Sequence, residues 1–354
     1  MQNPFTYTFG VKPKEYIKNT QSDVILENFS YAEPSERTYM ITGIRGSGKT
    51  VMLSEISEQI GRKDDWIVID LNPSRDLLQS LGAQLGELPF MKRFFTGAKI
   101  DVSLFGFGVS LQQNDSTKLF DIESAIGKML EAVSKSGKKV LITIDEASPS
   151  KDMRVFTLSF QRLIRKQLPV YMILTGLFHN VHNLKNMDGC TFLQRAPFIV
   201  LTALDINTIA VRYKKVFKTT KEFALQLAKQ TKGYAFAFQV LGKIYFDRRH
   251  SDTLEDILAE FENELITYSY NKIWSELSAT DISVIKAIIS LGSDAPVSRS
   301  ALMERLQLSS SMMNKYQARL REKGILLPAE QSHGKYVLAL PCFDSFVSDY
   351  HMDD

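Results

Sequence analysis

Between Gly43 and Thr50 the chain reads Gly-Ile-Arg-Gly-Ser-Gly-Lys-Thr, a glycine-rich turn that closes on a cation and a hydroxyl. Gly43, Gly46 and Gly48 let the backbone curl tightly, so that successive N–H groups point inward and no side chain blocks an approaching phosphate. The cradle comprises Gly43, Ile44, Arg45, Gly46, Ser47, Gly48, Lys49, Thr50 and Val51. Lys49 would reach the β- and γ-phosphates of a nucleoside triphosphate, and the Thr50 hydroxyl sits where a Mg²⁺ ligand is needed. The apolar run from Tyr39 predicts a buried strand before the turn, and Val51 to Ile60 a helix after it, its N-terminal dipole facing the anion. The implied ligand is ATP with Mg²⁺.

A second pair of residues suits the same chemistry. Asp145 and Glu146 follow Val140, Leu141, Ile142, Thr143 and Ile144, an apolar strand that delivers both carboxylates to the carboxyl edge of a sheet, where open α/β sheets bind ligands. Asp145 would hold Mg²⁺ through water, and Glu146 would orient and activate the water that attacks the γ-phosphate. Thr175, at the end of the run from Val170, either hydrogen-bonds the γ-phosphate or lytic water or caps its strand. Arg195 is either a finger for the nucleotide of a neighbouring subunit or a structural arginine.

The elements that must position these residues alternate. Strands are predicted at 39–43, 66–70, 139–146 and 170–176, and helices at 49–60, from about 75 to 95 with a break near Pro89, at 117–135 and at 152–167. This is the pattern of a parallel sheet with crossovers. Residues 99–112 alternate around Gly106 and predict an inserted β-hairpin. After residue 200 the strand signal fades into helices through 274. From 277 the order becomes helix 280–291, a Gly/Pro turn, helix 298–306, helix 311–323 and a short ribbon near 335–340, which is a winged helix-turn-helix. The division is therefore 1–200, an α/β nucleotide core; 201–276, a helical lid; and 277–354, the winged helix.

Composition narrows the class. The 354 residues are 44% hydrophobic and 23% charged, as in ordinary globular domains. No basic segment followed by an apolar core opens the chain, and no run of eighteen apolar residues occurs, so a cytoplasmic protein with no membrane partner is expected. Two distant cysteines lack metal-ligand spacing and fit a reducing compartment. The net charge of +3 makes no case for nucleic acid.

Together the Asn3 to Phe5 and Phe9 to Pro13 segments, Gly43 to Thr50, Asp145 and Glu146, Leu168 to Leu177, Arg195, Thr231 to Gln239 and the terminal winged helix resemble the AAA+ superfamily. The likeness is to bacterial and archaeal P-loop ATPases related to the origin-recognition initiators. It implies that the N-terminal segment, with Phe9 and Pro13, contacts adenine, and that Gly233 to Gln239 lies in the lid over the nucleotide. One departure stands out: Tyr234, Ala235, Phe236 and Phe238 fill the region where such relatives carry a proline and a sensing arginine, which implies slow turnover and a switch rather than a motor.

Ser309 to Gly324 has the form of a recognition helix. Met312, Tyr316 and Leu320 are expected to face the core, and Ser311, Asn314, Lys315, Gln317 and Arg319 to face double-stranded DNA. Locally the charge is +3, but across 278–354 eight Lys/Arg against nine Asp/Glu leave −1. One winged helix buries only about 600–1,000 Å² on DNA, so a homo-oligomer is expected to supply avidity. The rival reading is a signalling or defence ATPase whose winged helix docks an unidentified protein. A small-molecule kinase would leave the lid and winged helix unexplained.

Overall fold

The computed structural model describes residues 2–8, 12–91, 115–292, 295–329 and 334–352, so Phe9 and the expected hairpin at 99–112 lie outside the described residues. The chain forms two compact units: a sheet unit of Thr20–Thr42 with Lys49–Ile199, and a helical unit of Met1–Asn19, Gly43–Gly48 and Val200–Asp354.

The sheet unit is built on β1 (Thr38–Thr42), β2 (Trp66–Asp70), β3 (Lys139–Ile144), β4 (Val170–Gly176) and β5 (Phe198–Val200), in the order β2-β3-β4-β1-β5. The pairs β2 with β3, β3 with β4 and β4 with β1 are parallel. Helix α1 (Gln21–Asn28) precedes the sheet, and α2 (Lys49–Gly61), α3 (Leu77–Gly86), α4 (Asp115–Lys135), α5 (Lys151–Arg165) and α6 (Phe178–Lys185) lie in the connections between its strands. Parallel strands carry near-continuous apolar runs because helices cover both faces. Val140, Ile142 and Ile144 accordingly sit in one core with Ile126, Met129 and Leu130 of α4 and Phe156 and Phe160 of α5. The helix expected from 75 to 95 ends at Gly86, before Pro89, with Asp76 accepting from the Gln79 amide at its start.

Register positions the chemistry. Ile144 lies opposite Leu174, and Ile41 lies opposite Thr175. The residues that follow β3 therefore arrive level with the end of β4, where the Ala147 N–H donates to the Thr175 carbonyl at 2.7 Å. Only glycine fits at 176: a Cβ there would stand 2.7 Å from the Ala147 carbonyl oxygen.

The helical unit contains α7 (Ile206–Phe217), α8 (Lys221–Gln230), α9 (Ala235–Arg248) and α10 (Leu254–Leu265), then a π-helical turn (Ile266–Tyr270) and α11 (Asn271–Ser275). Asp205, Thr220 and Thr253 cap three of these helices by accepting amide hydrogen bonds, which fixes where each begins. The C-terminal module follows: α12 (Ala279–Ser290), β6 (Val297–Ser298), α13 (Arg299–Leu306), α14 (Ser310–Glu322), β7 (Leu326–Pro328), β8 (Lys335–Leu338) and α15 (Phe343–Tyr350). Its strands form an antiparallel ribbon, β6-β8-β7, giving the helix and ribbon order expected from the sequence. No helix among the described residues is long and apolar enough to cross a membrane.

The N-terminal segment belongs to this helical unit. Phe5 enters an aromatic box of Tyr213, Phe217 and Phe238, with ring centroids 5.5–5.8 Å away. Gln239 accepts from the Thr6 amide and donates to the Glu15 carbonyl, and Asn3 donates to the Lys243 carbonyl. Gly242 makes the notch, because a Cβ there would fall 2.6 Å from the Phe5 ring. Gly242→Ala should lower stability by about 1–3 kcal/mol through overpacking, although alanine in a helix interior ordinarily gains up to about 1 kcal/mol. In a Phe5→Ala background the same change should cost nothing; urea unfolding of the four proteins decides, and a penalty independent of Phe5 would refute the notch.

Candidate functional site

In the sheet unit one carboxylate gathers three elements. Asp145, just beyond β3, accepts from the Thr50 hydroxyl of α2 at 2.6 Å through Oδ2. Through Oδ1 it accepts from the Thr175 hydroxyl of β4 and, at 3.0 Å, from the Glu146 amide. Thr175 is fully buried. Its single proton is directed at Asp145. Glu146 has φ 54°, the left-handed region that costs a non-glycine residue about 1–2 kcal/mol. Glu146 is exposed beside the partly buried Asp145. Lys49 and Thr50 open α2, Val51 follows them, and the three are partly buried.

In the helical unit the turn Gly43–Gly48 has Gly46 at φ 75° and Gly48 at φ 93°. The Ser47 amide closes it by donating to the Ile44 carbonyl at 3.1 Å. Two carbonyls are held from outside the turn: Arg45 O accepts from the Tyr234 hydroxyl at 2.6 Å, and Gly46 O accepts from the Phe236 amide at 3.0 Å. The Arg45 guanidinium lies 3.4 Å from Glu276 Oε1. A Cβ at Gly46 would meet the Tyr234 oxygen at 2.3 Å, so glycine is required there by its backbone angle and by its neighbour alike. Pro13 is buried in this unit. Arg195 is exposed at the end of a 3-10 helix (Thr191–Arg195) of the sheet unit.

Helix α14, read from the sequence as a recognition helix, departs from its expected orientation. Met313, Gln317 and Leu320 form the buried stripe, in place of Met312, Tyr316 and Leu320. Gln317 is 5% exposed and does not face outward, whereas Met312 is 45% exposed. Ser311, Asn314 and Lys315 do face solvent. Arg319 is consumed internally: Nε lies 2.6 Å from Asp281 Oδ1, and Nη2 donates to Ser278 and Thr280. Lys323 holds the other oxygen of Asp281 at 2.9 Å. Sequence reading missed Arg299, whose Nη2 donates to the Ser310 carbonyl and hydroxyl and, at 2.7 Å, to Asn314 Oδ1, fixing the start of the helix. It also missed Tyr234 as a partner of the glycine turn, although the aromatic run in place of the expected proline and arginine was the available signal.

No protein-family model matches the chain. An uncharacterized ATP-binding protein of Methanocaldococcus jannaschii is 27% identical over 135 residues; the match spans 36% of this chain and about a third, 36%, of that relative's length. The solved structure of a Walker-type ATPase of Pyrococcus abyssi is similar with a TM-score of 0.62 at 15% identity, covering 98% of both chains. The Aeropyrum pernix ORC2 protein, solved in ADPNP and ADP complexes, gives 0.56 at 14% identity, covering 100% of this chain and 99% of that one. The chain has the AAA+ P-loop fold. Within this AAA+ fold, related to that of the origin-recognition proteins, the glycine turn and the acidic pair follow β1 and β3.

The Asp281 cluster supplies a test of the corrected recognition helix. Burial alone would raise the Asp281 pKa, but hydrogen bonds from Lys323, Ser278 and Arg319 outweigh it and hold the carboxyl below its usual value. A lowered folded pKa gives stability that is complete above the unfolded value near about 3.9 and is lost as pH falls through the folded one. At pH 7 Asp281→Ala should cost about 2–3 kcal/mol, less than a fully buried pair because Arg319 and Lys323 keep some access to water. Urea midpoints should converge for wild type and variant as pH falls from about 5 toward 3; a constant gap would rule out the ionised carboxylate as the source.

Proposed function

We propose that the chain binds and hydrolyses ATP as a slow switch, and that its C-terminal module, acting as a winged helix-turn-helix, binds double-stranded DNA. The proposal keeps the division into a core of 1–200, a lid of 201–276 and a winged helix of 277–354, with a cytoplasmic location. The observation that carries the nucleotide reading is the Asp145 carboxylate held between the Thr50 and Thr175 hydroxyls.

Thr50 and Asp145 offer hard oxygens, the donors Mg²⁺ prefers when it keeps several waters and takes its remaining ligands from phosphate. Positive φ at Gly46 and Gly48 suits a cradle of backbone amides. When bound, Mg²⁺–ATP supplies the phosphoryl group and part of its charge neutralisation. Lys49 would neutralise the β- and γ-phosphates. Glu146, exposed, would orient the attacking water and take its proton. Thr175 would fix the Asp145 rotamer, and Arg195, exposed, would serve the site of another copy in a homo-oligomer.

Lys49→Ala should weaken ATP binding about 10- to 100-fold, the worth of a charge-assisted contact. Glu146→Gln should retain binding while turnover falls about 10²- to 10⁴-fold. Equilibrium binding and single-turnover hydrolysis separate the two, and equal loss of binding in both folded variants would remove Glu146 from its role. Turnover per chain should also rise with protein concentration if Arg195 acts between copies.

DNA binding is supported by the module's element order and by Ser311, Asn314 and Lys315 on the open face of α14. Arg319, committed to Asp281, drops out of that surface. Its loss and the exposed Met312 and Leu327 favour, as the second reading, a protein partner docked on the same module. Lys315→Ala should lower the salt slope of DNA binding by about 0.9. Titrations at several salt concentrations with ATP, ADP and no nucleotide test this; if wild type and Lys315→Ala bind equally weakly in all of them, protein docking replaces DNA.

A further inference from the structure

The glycine turn is gripped by a hydrogen-bond chain whose proton directions can be worked out. Tyr234 and Ser269 oxygens lie 2.7 Å apart, and the Tyr234 oxygen lies 2.6 Å from the Arg45 carbonyl. A carbonyl only accepts, so the phenol proton belongs to that bond, and Ser269 must donate to Tyr234. The chain therefore runs from the Ser269 hydroxyl to the Tyr234 hydroxyl to the Arg45 carbonyl. Both side chains are buried, at 2% and 5% exposure, and burial pushes the phenol well above its usual pKa, keeping it a neutral donor. In such surroundings successive hydrogen bonds strengthen one another.

The grip falls on one peptide plane. In a trans peptide the carbonyl of residue 45 and the N–H of residue 46 point in opposite directions. Holding the Arg45 carbonyl toward Tyr234 thus turns the Gly46 N–H to the opposite side. The next plane is held in the same way, with Phe236 N–H on the Gly46 carbonyl and Ser47 N–H turned back to Ile44.

Ser269 has an unusual setting. It lies in the π-helical turn Ile266–Tyr270, closed by the Asn271 N–H on the Ile266 carbonyl, a geometry rare in proteins and concentrated at functional sites. Each of three consecutive residues here engages a different part of the helical unit. Tyr268 packs on Tyr7 of the N-terminal segment at 5.8 Å. Ser269 holds Tyr234. Tyr270, fully buried, donates to the Pro341 carbonyl and packs on Phe343 at 5.1 Å and Phe346 at 5.7 Å.

We propose that Tyr234 and Ser269 are positioning residues for the nucleotide: they set the Arg45–Gly46 peptide plane so that the Gly46 N–H is offered to a phosphate, and through the π-helical turn they transmit occupancy to the C-terminal helix Phe343–Tyr350. The inference rests on the reading that the glycine turn binds nucleotide. It places control of nucleotide affinity in a neutral hydroxyl chain outside the turn.

The test removes one oxygen at a time. Tyr234→Phe keeps the ring and loses the grip, so ATP and ADP should bind about 5- to 30-fold more weakly, whereas Ser269→Ala, which leaves the tyrosine-carbonyl bond, should weaken them about 2- to 5-fold. The double variant should be no worse than Tyr234→Phe, because both act through one carbonyl. In steady state KM should rise with Kd while kcat stays within about 2-fold, since a loss of folded protein would lower kcat and leave KM alone. Hydrogen exchange at Phe343–Tyr350 should respond to nucleotide in wild type and cease to respond in Tyr234→Phe. Unchanged Kd in Tyr234→Phe, beside a wild type that binds and a Lys49→Ala that binds more weakly, would overturn this inference alone; a wild type that binds no nucleotide would overturn the nucleotide reading with it. Should Tyr234→Phe fail to fold, an unaltered Kd in Ser269→Ala overturns the inference, and a weakened one with unaltered kcat supports it.

Discussion

A carboxylate has two oxygens, and in the sheet unit both are spoken for. Asp145 ties the first turn of α2 to the ends of β3 and β4, three elements that the sequence separates by as many as 125 positions, Thr50 to Thr175. The parallel register delivers the strand ends to a common level, but register alone leaves side-chain direction open. Two hydroxyls converging on one acid close that freedom. The left-handed Glu146 follows from it: the chain must turn sharply to place its amide on Asp145 while the next residue, Ala147, reaches back to Thr175. Strain of this kind is tolerated where the surroundings over-determine the backbone, here by hydrogen bonds on both neighbouring amides.

What could be read from the sequence was what is encoded locally. The glycine turn carries its own backbone instructions, and the largely apolar run of β3 marks a buried strand just ahead of the acidic pair, so both features and the flanking elements lay where expected. The recognition helix was harder. Met312 and Met313 are adjacent and both apolar, so the stripe has two admissible phases, one residue apart. The phase is set by the chain's approach, Gln307 in the left-handed region and Ser309 as cap, which places Met313 inward and carries Gln317 with it. Arg319 was misread for a different reason: its partner Asp281 is 38 positions away, and the pairing is a property of packed helices. The Tyr234 contact with Arg45 spans 189 positions and has the same character.

Two cations of the C-terminal module are turned inward. The fully buried Asp281 draws Arg319 and Lys323 onto it, while Ser311, Asn314 and Lys315 form an exposed polar edge on α14. Arg299 narrows that edge further by taking up the Asn314 carbonyl oxygen, leaving its amide group as the donor that faces out. That face of the module thus offers hydrogen-bonding groups with little charge.

The anchoring of the N-terminal segment sets an order in time. Asn3 finds its partner Lys243 across 240 positions, and Phe5 is seated against Gly242. A ribosome finishes the sheet unit's strands and helices before the helices that receive Phe5 exist. Contacts of such sequence separation form slowly, because the loop they close must be paid for in entropy first. Residues synthesised well before their partners are therefore among the last to be placed, and for much of synthesis an aromatic side chain meant for a buried box waits in solvent, where a chaperone or a neighbouring nascent chain can meet it before its own helix does.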